Sequence, residues 1–299
     1  MYHNPVLLRD CIDGLAVQKA GAYVDVTFGG GGHARAILDA LGKEGRLFAF
    51  DRDAEASRNR IEDPRFTLIH HNYRFLKRYL RYYDAIPVNG ILADLSISSH
   101  QIDAAERGFS TRFEGPLDLR MDPSRGISAA EMIREMSREK MIQMFREYGE
   151  LDHPERIADA ILRARAEKEI VTTTDLKTAV KALTPKGKEQ KFLARLFQAL
   201  RIEVNQELMA LKQMLRQSLE ALAPGGRLVV ISYHSLEDRL VKNFMRTGNF
   251  EGREEKDPIY GHVNSPFEQV SRKAIVASDE EISSNPRARS AKLRIAEKI

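Results

Sequence analysis

Strand-like runs that alternate with helical ones predict an α/β fold, a parallel Rossmann-like sheet with an inserted all-helical segment. Three observations carry this. Short apolar runs recur through the first hundred residues with helical periodicity between them. From Thr111 to Val204 the strand signal almost vanishes. It returns at Pro224-Gly225-Gly226.

The elements follow in order. The first strand, Tyr23-Val24-Asp25-Val26-Thr27, runs into four glycines, Gly29 to Gly32. Ala34, Ile37, Leu38 and Leu41 then recur at helix spacing, and Gly42 and Gly45 stop that helix. A second strand, Arg46 to Phe50, closes at Asp51. Ala54 to Ile61 reads as a helix ended by Asp63-Pro64. Phe66 to Ile69 is a third strand, and Gly90 to Ala93 a fourth that ends at Asp94. Ser128-Ala129-Ala130-Glu131 is a capping box for a helix reaching about Tyr148. Asp152-His153-Pro154-Glu155 opens another, to about Lys168. Thr174 caps a third, to Leu183, and a long helix runs from Glu189 towards Leu222. Beyond the glycines comes a strand, Arg227 to Ser232, then a helix, Leu236 to Arg246. Two last strands are expected at Val270 to Ala277 and Leu293 to Ala296, with residues 247–269 a polar loop. Residues 1–110 and 205–299 thus form one discontinuous domain, and 111–204 a helical insertion.

Composition narrows the function. The 299 residues are 42% hydrophobic and 30% charged, enough for a buried core and unlike a disordered chain. Cys11 is the only cysteine, which excludes an internal disulfide and a cysteine zinc site and reads as a small apolar filler. The 8 histidines show no ligand spacing, so no metal is expected. No apolar run approaches the ~20 residues of a membrane span. The N-terminus lacks a secretory pattern, so a cytoplasmic location is expected.

The net charge of +4 hides a division. Segment 181–201 holds Lys181, Lys186, Lys188, Lys191, Arg195 and Arg201 against Glu189 alone. Segment 285–299 holds Arg287, Arg289, Lys292, Arg294 and Lys298 against Glu297. The remainder is net acidic. Such basic clusters can neutralise phosphates.

The glycine run lets backbone approach a ligand and sets helix amides beside it. Ligands of a doubly wound sheet bind at the carboxyl ends of its strands, where Asp25, Asp51 and Asp94 fall. Two ligands fit. Gly29 to Ala34 satisfies G-x-G-x-x-A with Asp51 22 residues after Gly29, as in an NAD site. Asp25 before the glycines and Asp94 on the fourth strand instead suit the ammonium and sulfonium of S-adenosylmethionine. The motif alone leaves an oxidoreductase and a methyltransferase open.

Longer blocks carry a resemblance. Tyr2-His3-Asn4-Pro5-Val6-Leu7-Leu8, Asp25 to His33, Asp94 to Gln101, Arg107-Gly108-Phe109-Ser110, Gly115 to Asp122, Phe197 to Ile202, Ile231 to Arg239 and Asn285 to Ser290 resemble, in order, the small-subunit ribosomal RNA cytosine-N4 methyltransferase family, also called RsmH or MraW. Ser96, Ile97 and His100 stand where that family usually has Gly, Val and Pro. The resemblance covers essentially the whole chain. It implies a class I methyltransferase sheet with a helical substrate-recognition insertion. It implies S-adenosylmethionine contacts at Gly31, Gly32, His33, Asp51, Tyr73, Asp94 and Gln101, beside Asp25. Tyr73 would flank the adenine.

The implied reaction methylates the exocyclic amine of a cytidine of 16S ribosomal RNA within the small subunit, in the decoding region. Asp94 is the first candidate to accept the amine's hydrogen bonds, and His234 the second, to orient the base or move a proton. Asp118 and Arg120 would order the loop into the insertion or touch RNA. Lys186, Lys188, Lys191, Arg287 and Arg289 are the expected RNA contacts. A non-catalytic RNA-binding protein of the same fold is the remaining alternative, and a monomer or a homodimer is equally compatible.

Overall fold

The computed structural model describes residues 5–254 and 265–299. The block Tyr2-His3-Asn4 and part of the expected loop 247–269 lie outside the described residues. The chain divides into two compact units, Met1–Ser96 with Leu208–Ile299, and Ile97–Glu207.

The first unit is built on seven strands: β1 (Ala22–Asp25), β2 (Arg46–Asp51), β3 (Phe66–His70), β4 (Val88–Asp94), β5 (Leu222–Ser232), β6 (Phe267–Gln269) and β7 (Lys292–Lys298). Their order is β3-β2-β1-β4-β5-β7-β6. The first five are parallel, and β7 lies antiparallel between β5 and β6. This is a mostly parallel, doubly wound sheet. The order reverses between β1 and β4, so their carboxyl ends flank the switch point where such sheets bind ligands.

A sheet covered on both faces needs strands apolar on both faces. Side chains alternate accordingly. Val24, Val26, Phe48, Phe50, Ile91, Ala93, Leu228 and Val230 join one core, and Tyr23, Leu47, Ala49, Leu92, Val229 and Ile231 the other. Helices α1 (Leu8–Leu15) and α2 (Gly32–Ala40) cover the second face through Cys11, Leu15, Ala34, Ile37 and Leu38. Helix α3 (Leu76–Tyr82) covers the first face through Leu76 and Leu80. Each large apolar side chain buried this way contributes about 1.5–3 kcal/mol. Cys11 is a buried free thiol whose ionisation burial strongly disfavours, as expected of a filler.

The second unit is helical: α4 (Ser99–Asp103), α5 (Ala129–Glu135), α6 (Arg138–Glu147), α7 (Pro154–Glu167), α8 (Thr173–Val180) and α9 (Glu189–Asn205). Its core gathers Phe109, Leu117, Leu119, Ile133, Phe145, Ile161, Leu176, Leu196 and Leu200. It begins before residue 111 because segment 97–110 is tied into it. Arg107 donates to the Arg120 and Met121 carbonyls (both 3.1 Å), and Phe109 joins the core. Helix α10 (Glu207–Ala221) returns the chain to the sheet, followed past β5 by α11 (Ser235–Thr247) and, past β6, by α12 (Asp279–Ser284).

Several expected elements differ, each for a local reason. The helix from Ser128 does not reach Tyr148. Its capping box forms, but Ser137 caps a second helix by accepting from Lys140 N, which splits it into α5 and α6. Thr172, not Thr174, caps α8, in a capping box with Asp175. The long helix breaks at Gln206, which takes a left-handed φ of 51°. The preceding Asn205 is drawn into the neighbouring loop, donating to the Leu119 carbonyl (2.7 Å) and accepting from Met121 N (2.8 Å). Ala54–Asn59 is a 3-10 helix capped by Asp53, not an α-helix. The strand expected at Val270 to Ala277 is replaced by β6 just before it. A turn in which Ser271 Oγ donates to the Lys273 carbonyl (2.6 Å) interrupts the ladder, and pairing resumes only as a bridge at Ile275.

Candidate functional site

Three acids stand at the carboxyl ends of β1, β2 and β4. Asp25 is 1% exposed. Its Oδ1 accepts from Thr27 N (3.0 Å), while its Oδ2 is buried with no partner among the described residues. Burial pushes the Asp25 carboxyl up to about 6; the neighbouring His33 and the Thr27 N–H bond oppose the rise, and Asp94 and Asp51 add to it. An unpaired buried carboxylate oxygen is costly unless something cationic meets it.

Asp51 anchors the glycine loop. Its Oδ2 accepts from Gly29 N and its Oδ1 from Asp53 N, both at 2.8 Å. Desolvation raises this carboxyl too, with the two N–H bonds opposing. Asn59 holds the loop from the other side, donating to the Gly29 carbonyl (2.9 Å). Each Asp51 oxygen keeps a lone pair for a further donor such as a ribose hydroxyl.

The loop needs its glycines. Gly31 caps α2 with a φ of 77°, where a Cβ would also press on the Phe28 ring at 2.9 Å. A Cβ on Gly32 would run into the Pro5 ring. The Gly31 N–H donates to the Phe28 carbonyl (2.7 Å), which closes the turn that starts α2.

His33 sits in that first turn, buried. Its Nε2 lies 3.0 Å from the Val6 carbonyl. A carbonyl can only accept, so Nε2 carries hydrogen and Nδ1 is the atom turned to Asp94 Oδ2, at 4.0 Å. Asp94 is fixed from below: its N–H donates to Thr27 Oγ1 (2.7 Å), and its Oδ1 accepts from Ser96 N (3.2 Å). Asp25, the glycine loop, His33, Asp51 and Asp94 therefore converge at one end of the sheet.

The other expected residues divide. Tyr73 opens a 3-10 turn just past β3, capped by Asn72, with its ring packed against the apolar core. Gln101 lies in the helical unit, where it completes a capping box with Ser98 at the head of α4. His234 is the N-cap of α11, accepting from Glu237 N through Nδ1 (3.4 Å), with Nε2 3.1 Å from Glu237 Oε1. The structure thus gives His234 a backbone-capping task. It also shows a histidine–carboxylate pair three residues apart that the expectation of no such spacing overlooked.

Tyr233 was not foreseen. Residue 94 pairs in register with Ile231, so Tyr233 falls just past the end of the neighbouring strand. Its phenol is buried beside Asp94 and Ser96, without a hydrogen bond of good geometry to either. Burial and Asp94 both hold it firmly protonated.

The basic segments are only partly free. Lys186, Lys188 and Lys191 are exposed around the start of α9, and none forms an ion pair among the described residues. Arg287 is partly buried and Arg289 exposed on a 3-10 turn after α12. Other members of the C-terminal cluster are held by named partners. Asp238 of α11 accepts from Arg294 (2.7 Å) and Lys292 (3.3 Å), and Lys298 donates to the Leu222 carbonyl (2.7 Å). In the other cluster Arg201 pairs with Glu207 at 2.9 Å. Asp118 and Arg120 form a two-pronged pair, at 2.8 and 2.7 Å, that orders their loop.

The MraW methylase family matches residues 1–299. The chain belongs to the MraW methylase family. Similar proteins include the ribosomal RNA small subunit methyltransferase H of Parabacteroides distasonis, 54% identical over 299 residues, with 100% of this chain and 98% of that protein covered. The protein of that name from Amoebophilus asiaticus is also 54% identical, with 99% and 96% covered. Membership of a methylase family removes the NAD reading that the glycine motif had left open.

Proposed function

We propose that the protein transfers a methyl group from S-adenosylmethionine to the exocyclic N4 amine of one cytidine in the decoding region of small-subunit ribosomal RNA. The observation that carries the cofactor is the buried, unpartnered Oδ2 of Asp25 beside a glycine-opened helix start. An acidic pocket fits a ligand with an ammonium and a sulfonium, and fits a pyrophosphate poorly. The name shared by relatives at 52–54% identity supports ribosomal RNA as substrate.

When bound, S-adenosylmethionine supplies an electrophilic methyl on a sulfonium. Asp25 would hold the ammonium, the N–H of Gly32 at the head of α2 the carboxylate, with Gly31 shaping the turn through its own bond to the Phe28 carbonyl (2.7 Å), and Asp51 the ribose hydroxyls. Tyr73 would flank the adenine, and Gln101 belongs to the set by family resemblance. The cytosine amine is a poor nucleophile because its lone pair is delocalised into the ring. Asp94 accepts its hydrogen bonds and so lets the nitrogen become tetrahedral. Positioning of this kind is worth up to ~7–11 kcal/mol. His33, held by Val6, orients Asp94. The base must leave its stack to arrive there. His234 fixes the head of α11 and keeps the chain near Asp94 in place. Lys186, Lys188, Lys191, Arg287 and Arg289 are the proposed phosphate contacts, and the helical unit is the substrate-recognition part.

The test is labelled methyl transfer to small-subunit particles from cells lacking this protein, followed by nucleoside analysis. N4-methylcytidine is expected. A methyl on carbon 5 or on the ribose overturns the assignment.

A further inference from the structure

Helix α3 carries a basic and aromatic surface outside the site described above. From His71 to Tyr83 the sequence has no acid, and Arg74, Lys77, Arg78 and Arg81 are spread through it. The structure sorts these four cations. Arg74 and Lys77 are turned to α10, where Arg74 donates to Gln213 Oε1 (2.9 Å) and Lys77 pairs with Glu220. Arg78 and Arg81 are exposed and form no ion pair among the described residues.

The exposed aromatics fall on the same side. Phe75, Arg78 and Tyr82 are three and then four residues apart, so they line one stripe of the helix, with Arg81 next to it. Leu76 and Leu80, both 0% exposed, occupy the opposite stripe. Phe75 is 38% and Tyr82 80% exposed. Folding gains little from a tyrosine ring left in water, and the Tyr82 ring meets that of the neighbouring Tyr83 edge-on, at 5.0 Å between centroids. Two exposed arginines without an ion pair among the described residues, set between two exposed rings on a helix about 10 Å long, match an unpaired RNA strand. The guanidinium groups meet phosphates, and the rings stack on bases.

We propose that Phe75, Arg78, Arg81 and Tyr82 form an RNA-binding surface on the sheet unit, which holds single-stranded substrate next to the methyl-transfer site. The helix starts directly after the turn of Tyr73, so a strand on this surface runs away from the cofactor-binding end of the sheet. The proposal rests on the reading that the substrate is RNA. It adds a third cationic contact to those at 186–191 and 287–289.

The experiment measures the affinity of the full chain for a fluorescent single-stranded fragment of small-subunit ribosomal RNA across a salt series. S-adenosylmethionine affinity is the check on folding. Arg78→Glu with Arg81→Glu should weaken RNA binding about tenfold or more at 0.15 M salt. It should lower the slope of log affinity against log salt by about 1.4, the share of two phosphates on a single strand. Arg78→Lys with Arg81→Lys should keep most of the affinity. Tyr82→Ala should weaken binding about fivefold or more without changing the slope. Unchanged affinity and slope in the glutamate variant, with cofactor binding intact, would overturn the proposal. So would an equal loss in the lysine variant, which would mark a structural effect. A parallel transfer assay on the parent separates the two readings. A parent that binds RNA without methylating it contradicts the proposed function, while the variant affinities still decide the surface.

Discussion

The strand-end acids and the surface cations carry opposite charges under opposite conditions. Asp25 is buried, and backbone N–H groups hold Asp25, Asp51 and Asp94 in place. Lys186, Lys188, Lys191, Arg78 and Arg81 are exposed and form no ion pair among the described residues. A buried charge without a partner is costly, so its presence points to a ligand that repays it. An exposed charge costs almost nothing, so its presence alone points nowhere. Only its neighbours distinguish a solvated face from a binding one. Arg294 and Lys292 show this, because Asp238 occupies both.

That contrast yields graded expectations. Gly32→Val should have the largest effect, since its side chain would collide with the Pro5 ring at the start of α2. Calorimetry should find no measurable S-adenosylmethionine binding, and overpacking should destabilise the chain by about 1–3 kcal/mol. Asp25→Asn should come next. Loss of one charge-assisted contact should weaken cofactor binding about ten- to hundredfold. In the parent, affinity should fall as pH drops through about 6, because a protonated Asp25 no longer faces a cation; in the variant this dependence should disappear.

The sign for stability is opposite. A carboxyl raised by folding binds its proton more tightly in the native state, so its contribution to stability falls as pH rises from the ordinary carboxylate range through about 6. Asp25→Asn should therefore melt at or above the parent at pH 8. A variant clearly less stable there would count against a strained carboxylate.

On the surface the effects should be smaller. Alanine at Lys186, Lys188 and Lys191 together should raise KM for RNA several-fold, with kcat and cofactor affinity unchanged, and the gap should close as salt rises. Asp238→Asn should leave RNA binding alone and cost about 1–3 kcal/mol, between exposed and buried pairs. Burial alone would raise the Asp238 carboxyl, but hydrogen bonds from Arg294 and Lys292 hold it below its ordinary value. The stability it contributes is present above the ordinary carboxylate range and is lost as pH falls through the lowered value.

The sheet and its acidic ends were readable from sequence because short apolar runs, glycines and strand-end aspartates are local signals. What escaped depends on contacts between distant segments. The break at Gln206 follows from Asn205 bonding to Leu119 and Met121. Tyr233 becomes a site residue only through the pairing of β4 with β5. The capping of α11 by His234 is a further case, since it shows only once the bond from Glu237 N is seen. Charge counting placed Lys292 and Arg294 with the free cations because Asp238 lies more than fifty residues away. The same counting passed over residues 74–81, whose significance lies in which cations α10 engages and which it leaves exposed.

The central claim is that the strand-end acids perform the chemistry and the exposed cations hold the substrate. Single-turnover methyl transfer by Asp94→Ala, at saturating cofactor and RNA, tests it most directly. Saturation removes binding from the rate, so only the reacting step remains. The account predicts a loss of about a hundredfold or more. Transfer at the parental rate would contradict it.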